Sequence, residues 1–242
     1  ECVIYDDKRN LIYVANINLN PWEKDGNGFI SKIDTLGNIV DLKWVSGLDA
    51  PKGLGIFNNS LFVNDIDQII EIDLSSGNIK GRTKIGGNPT LNDLTIAEDG
   101  TLYASGSDSQ SIFKSSNGIV EILLSGDLGR PNGLLYEKDR LLMLTNQTHL
   151  LESINVETKE RTVLADSLGH ADGIEHIGNG AYLVSNWQGE IYHLSSSMIP
   201  SKILDTKDEK INAADIDYIA SNRLLLIPTF FDNRVRAYRL VE

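Results

Sequence analysis

The stretch Arg-Pro-Asn-Gly-Leu-Leu-Tyr (RPNGLLY, 130–136) has a near twin forty residues later, HADGIEH (170–176). Forty residues earlier the chain reads TLNDLTI (90–96), and forty before that APKGLGI (50–56). In each copy one polar side chain stands just before a Gly or Asp that opens an apolar run. Those side chains are Lys52, Asn92, Asn132 and Asp172. A period of about 40–45 residues is typical of propeller blades, small sheets that bury their faces only by packing on one another.

The strand signals inside the period agree. The copy around 130 contains GLLYE (133–137), RLLMLTN (140–146), LLESIN (150–155) and ERTVLA (160–165), separated by short polar joints. Such joints suit hairpins. EDG (98–100), SSNG (115–118), SSGN (75–78) and GNG (178–180) punctuate the neighbouring copies in the same way. No long segment carries a 3.6-residue apolar period, so few helices are expected. The flanks supply a first copy beginning ECVIYDDKRNLIYVAN and a sixth beginning AADIDYIASNRLLLIPT. The predicted fold is all-β. It is a single six-bladed β-propeller of four-stranded antiparallel blades around a central channel. The blades fall at about 1–46, 47–87, 88–126, 127–166, 167–206 and 207–242. The last copy shows only three strand signals. Its blade is therefore either three-stranded or completed by residues upstream of Glu1.

If the innermost strand of every blade lines the channel, side chains equally spaced in sequence converge in space. Extended to the flanks, the ring is Glu1, Lys52, Asn92, Asn132, Asp172 and Asp215, with no apolar member. Its carboxylate and amide oxygens suit a hard cation such as Ca²⁺. Structural zinc favours Cys or His, which the ring lacks. Mg²⁺, Mn²⁺ and Zn²⁺ nevertheless stand as alternatives to Ca²⁺. Three carboxylates facing one another without an ion would repel, and some would protonate.

Composition narrows the function classes. A formal charge of −12 over 242 residues argues against a nucleic-acid partner, which needs clustered Lys and Arg. One cysteine excludes an internal disulfide framework, and no CxxC pair suggests a zinc site. Cys2 lies in the apolar run CVIY and reads as packing. No apolar run is long enough to span a bilayer, so no membrane span is expected. No GxSxG nucleophile elbow occurs. The abrupt start at Glu1 suggests a removed leader and hence a secreted or periplasmic location.

ECV at the start of the first inner strand, NDL (92–94), RPNGL (130–134) and ADGI (171–174) occur in order over essentially the whole chain. Together they resemble the regucalcin/gluconolactonase (senescence marker protein-like) family of six-bladed propellers. More distantly they resemble paraoxonase-type and diisopropyl-fluorophosphatase-type hydrolases. The resemblance implies a divalent metal, usually calcium, held by Glu1, Asn132 and Asp172. Asn92 is then a further ligand or a substrate-orienting group, and Asp215 is counted with the ligands as the ring's remaining carboxylate. It also implies hydrolysis of a lactone or related ester, with a small molecule such as a sugar lactone as substrate. The metal would polarise the carbonyl and stabilise the developing oxyanion. Asp172 is the candidate general base, or a nucleophile in a fluorophosphatase-like variant.

Some positions depart from that pattern. Lys52 is foreign to a metal shell. It is read as an ion-pair partner of Glu1 or Asp215, or as a contact to a substrate oxygen. Thr90 stands where the regucalcin branch places an arginine, which argues against strict aldonolactone specificity. His170, two residues before Asp172, is a candidate for acid–base or substrate contact because histidine titrates near neutrality. The pocket wall is assigned to Asn146, Asn186 and Trp187 at the ends of second strands. Trp22 joins them, in an insertion over 17–28 that reads as a lid. The rival reading is a non-catalytic propeller that binds a ligand or a protein, with any metal structural.

Overall fold

The computed structural model describes residues 1–241. Short alternating runs with Gly, Asn and Asp turns fold into six antiparallel sheets, and among the described residues the helical content is limited to two three-residue 3₁₀ turns. In every sheet the strands lie side by side in chain order. The first strands are Val3–Asp6, Pro51–Phe57, Leu91–Ile96, Pro131–Glu137, Ala171–Gly178 and Asp217–Ile219. Each touches the first strand of the next sheet, and the sixth touches the first. The molecule is thus a six-bladed β-propeller whose first strands surround the channel.

Five blades have four strands, and the sixth has three: Asp217–Ile219, Leu224–Pro228 and Val235–Arg239. The three strand signals read in the last copy are the three strands of this blade. No helix among the described residues is long and apolar enough to cross a membrane.

The core lies between blades. The Leu, Ile and Val side chains of one sheet meet those of the next, as where Leu142, Leu144 and Leu151 pack on Ile174, Tyr182 and Val184. Outer strands are more exposed. Ile39, Val40 and Leu42 lie on the rim of the first blade, and Ile119 and Ile122 on that of the third. Polar side chains also stitch inner strands together. Leu134 N–H donates to Asp93 Oδ2 (2.6 Å) and Tyr136 N–H to Thr95 Oγ1 (3.0 Å). The ring closes where Tyr5 N–H donates to Asp217 Oδ2 (2.5 Å) and Asp215 N–H to the Glu1 carbonyl (3.1 Å).

A two-against-one bulge recurs at the start of four inner strands. Lys52 and Gly53 oppose Asn64, and Asn92 and Asp93 oppose Ser105. Asn132 and Gly133 oppose Leu144, and Asp172 and Gly173 oppose Ser185. Bulges re-aim side chains and often adjoin functional sites. Two of the N–H groups that the bulge frees find hydroxyls, Asp93 N–H on Ser105 Oγ (2.9 Å) and Gly173 N–H on Ser185 Oγ (2.8 Å). The glycine is set by close approach of the next blade: a Cβ at Gly133 would lie 2.0 Å from the Asp172 carbonyl oxygen.

Candidate active site at the channel mouth

The four bulges bring Lys52, Asn92, Asn132 and Asp172 to one cavity of about 360 Å³ at the mouth of the channel, together with Glu1. Of the expected pocket residues, Trp22, Asn146, His170 and Trp187 line the same cavity. Arg130, Gln188 and Phe230 complete much of its wall.

Two expected members lie elsewhere. Asp215 lines a second cavity of about 200 Å³ further along the inner strands, with Cys2, Asp93, Glu175 and Asp217. A Cβ at Gly173 would meet Asp215 Oδ1 at 2.4 Å, so Asp215 sits level with the residue after the ring position. The sixth repeat is one residue out of register with the others, and a one-residue slip sends a strand's side chain the other way. Asn186 serves a turn. Its amide donates to Glu190 Oε2 (2.5 Å), and its Oδ1 accepts from Gln188 N–H (3.1 Å).

Lys52 is almost fully buried. Its ammonium donates to the carbonyls of Pro21 (2.7 Å) and Ala50 (3.1 Å) and lies 4.2 Å from the centre of the Trp22 ring. No carboxylate among the described residues lies within ion-pair distance of it, so the expected pairing with Glu1 or Asp215 is not formed. Burial pulls its pKa down to about 8, against the pull of Glu1 and Asp65. Lys52 therefore fastens the 17–28 insertion over the cavity and fixes Trp22 in its wall.

The amides are held by their nitrogens. Asn92 Nδ2 donates to Ser107 Oγ (3.1 Å), and Asn132 Nδ2 to the Ala171 carbonyl (3.4 Å). Asn132 Oδ1 is buried with no hydrogen-bond partner. Burial pushes the Asp172 carboxyl well above the usual carboxylate range, with Glu1 and Asp93 adding repulsion. Among the described residues no three Asp, Glu, His or Cys side chains group as a metal centre. The oxygens on offer at the mouth are two carboxylates, Glu1 and Asp172, with the amides Asn92 and Asn132. Carboxyl oxygens and an orphaned amide oxygen fit a hard cation, which would favour the ionised carboxylates.

The rim is partly aromatic. Trp187 meets Phe230 edge-on at 5.6 Å between ring centres, and Phe230 meets Phe231 at 4.7 Å. His149 packs edge-on against His170 at 5.3 Å. Sequence reasoning passed over Arg130. The signal was present, since Arg130 precedes Asn132 by the same two residues that separate His170 from Asp172.

No protein-family model matches the chain, and no curated protein matches it. Solved structures do. A catalytically inactive variant of virginiamycin B lyase from Staphylococcus aureus, with quinupristin, is similar at TM-score 0.70 and 14% identity over 99% of this chain and 94% of that one. A streptogramin B lyase structure is similar at TM-score 0.62 and 14% identity, covering 98% and 90%. A nidogen/laminin complex is similar at TM-score 0.74 and 16% identity, covering 88% and 82%. At such identities the likeness is one of fold. It supports the six-bladed propeller without singling out the regucalcin family.

Proposed function

We propose that the channel-mouth cavity is a hydrolase site that opens a lactone or related ester with the help of a divalent cation, most readily Ca²⁺. The observation that carries this reading is the buried, unpartnered Asn132 Oδ1 in a cavity shared with Glu1, Asn92 and Asp172. Those four residues would hold the cation. When bound it would supply Lewis-acid polarisation of the substrate carbonyl. The chain's own residues do the rest. Asp172 takes the proton of the attacking water, and a bound cation would keep its carboxyl ionised for that role. Asn92 and Asn132, fixed by their Nδ2 groups, orient the reacting end. His170, whose Nδ1 lies 3.4 Å from Asn146 Oδ1, is placed to hand a proton to the leaving alkoxide. Trp22 and Trp187 exclude water from the cavity's flanks. The regucalcin/gluconolactonase resemblance supports the same chemistry.

The test is elemental analysis of the purified protein with Ca²⁺ titration of wild type and Asp172→Ala, followed by a lactone and ester screen. Stoichiometric metal, a Tm that rises with Ca²⁺ in wild type alone, and turnover abolished by the substitution are expected. Metal-free protein, a Tm indifferent to Ca²⁺ and no turnover would overturn the reading. That result would favour a non-catalytic binding propeller, which the fold shared with the nidogen/laminin complex also supports.

A further inference from the structure

Arg130 is the one guanidinium that lines the channel-mouth cavity among the described residues. It comes from the same place on its blade as His170 does on the next, two residues before the bulge pair. The equivalent positions on the two preceding blades, Ala50 and Thr90, do not line the cavity.

The guanidinium is oriented from one side. Nε donates to Asp108 Oδ1 at 2.8 Å, and Nη1 faces Asn146 Oδ1 at 3.4 Å. With Nε and one Nη1 hydrogen so engaged, the second Nη1 hydrogen and Nη2 remain to donate to an oxyanion, a pair that matches a carboxylate in bidentate fashion. The Asp108 side chain is 53% exposed, so solvent screens its charge and leaves Arg130 a net attraction for an anion in the cavity.

The backbone is held there against preference. Arg130 has φ +61°, a left-handed conformation that glycine adopts freely and other residues adopt under strain. Gln110 Oε1 accepts the N–H groups of Leu128 (3.1 Å) and Arg130 (3.0 Å), and the Arg130 carbonyl accepts from Asn146 N–H (3.0 Å). Thr90, at the equivalent position one blade earlier, has the same left-handed backbone (φ +49°) but does not line the cavity, so what distinguishes Arg130 is its long cationic side chain in the cavity wall.

We propose that Arg130 is the anion-recognising, specificity-determining residue of this cavity, and that its ligands carry a carboxylate on the side away from the reacting carbonyl. The carboxylate binds the Nη edge of Arg130 while the carbonyl end lies among Asn92, Asn132 and Asp172. The reacting end rests on the hydrolase reading above; the anion contact does not need turnover.

The experiment uses the full chain and two five-membered lactams that cannot be opened as lactones are. They are 5-oxopyrrolidine-2-carboxylate and its neutral carboxamide, titrated calorimetrically into wild type, Arg130→Gly and Arg130→Lys. Wild type is expected to favour the carboxylate about tenfold, the scale of a charge-assisted hydrogen bond. Arg130→Gly relieves the left-handed strain, so its Tm stays at or above wild type while it binds the two ligands alike. Arg130→Lys keeps the charge, loses the fork and falls between. Equal affinities in wild type, or a preference that survives Arg130→Gly, would overturn the proposal. The two corresponding lactones are assayed in parallel. If wild type prefers the carboxylate lactam yet leaves both lactones intact, the hydrolase reading fails and the role of Arg130 stands.

Discussion

At the scale of the residue, Lys52 carries the sharpest physical tension in the molecule. A positive charge is buried against two carbonyls and an indole face instead of a carboxylate. Desolvation disfavours the charged form, which is why its pKa falls to about 8. The sign of the pH effect follows. Between about pH 8 and 10.5 the unfolded chain binds more protons at this lysine than the folded one, so folding gains stability as pH rises through that window. The stability gap between wild type and Lys52→Met is expected to move in favour of wild type from pH 8 to 10.5. Urea unfolding at both ends of the range checks this, and a gap independent of pH would contradict it. Asp172 was legible from its spacing alone, because a period of forty residues on a ring needs no knowledge of packing. The contacts of Lys52 with Pro21 and Trp22 were not, because they come from an irregular loop with no repeat to betray it.

At the scale of the element, the recurrent bulge is what turns a polar side chain off the sheet and into the channel. It also brings adjacent inner strands so close that only a bare backbone fits at Gly133 and Gly173. Gly133→Ala is expected to cost about 1–3 kcal/mol, the range for forcing extra volume into a packed interior. A shift of the urea midpoint at unchanged m-value would show it. The same element explains Asp93. It stands in the glycine's place on the third blade and uses its carboxylate to accept from Leu94 and Leu134 N–H groups, both at 2.6 Å. Burial pushes that carboxyl up to about 6. The N-D pair that drew attention in the sequence therefore divides its labour: Asn92 faces the cavity and Asp93 rivets two blades.

At the scale of the whole molecule, a propeller is only as stable as its closure. Here the last inner strand meets the first through the Asp217 carboxylate on Tyr5 N–H. Asp217→Ala leaves that N–H unpaired and is expected to cost about 1–3 kcal/mol, the penalty for a buried donor without an acceptor. The loss should appear as one cooperative transition at lower urea, since the blades share interfaces around the ring.

The sequence by itself determined the six-fold repeat, the strand content and the ring residues of the middle blades. All of these follow from period and alternation, which survive without any knowledge of contacts. It also marked Trp22, His170 and Trp187 for the mouth. Tertiary structure alone decided three things. Asp215 faces the deeper cavity, because a single-residue slip in a divergent repeat is invisible until the strand is paired. Asn186 belongs to a turn, because Glu190 captures its amide. Arg130 stands in the cavity wall, which its spacing from Asn132 only hinted at, because its guanidinium is fastened there by Asp108 and Asn146 from the neighbouring strand ends, contacts that no repeat encodes.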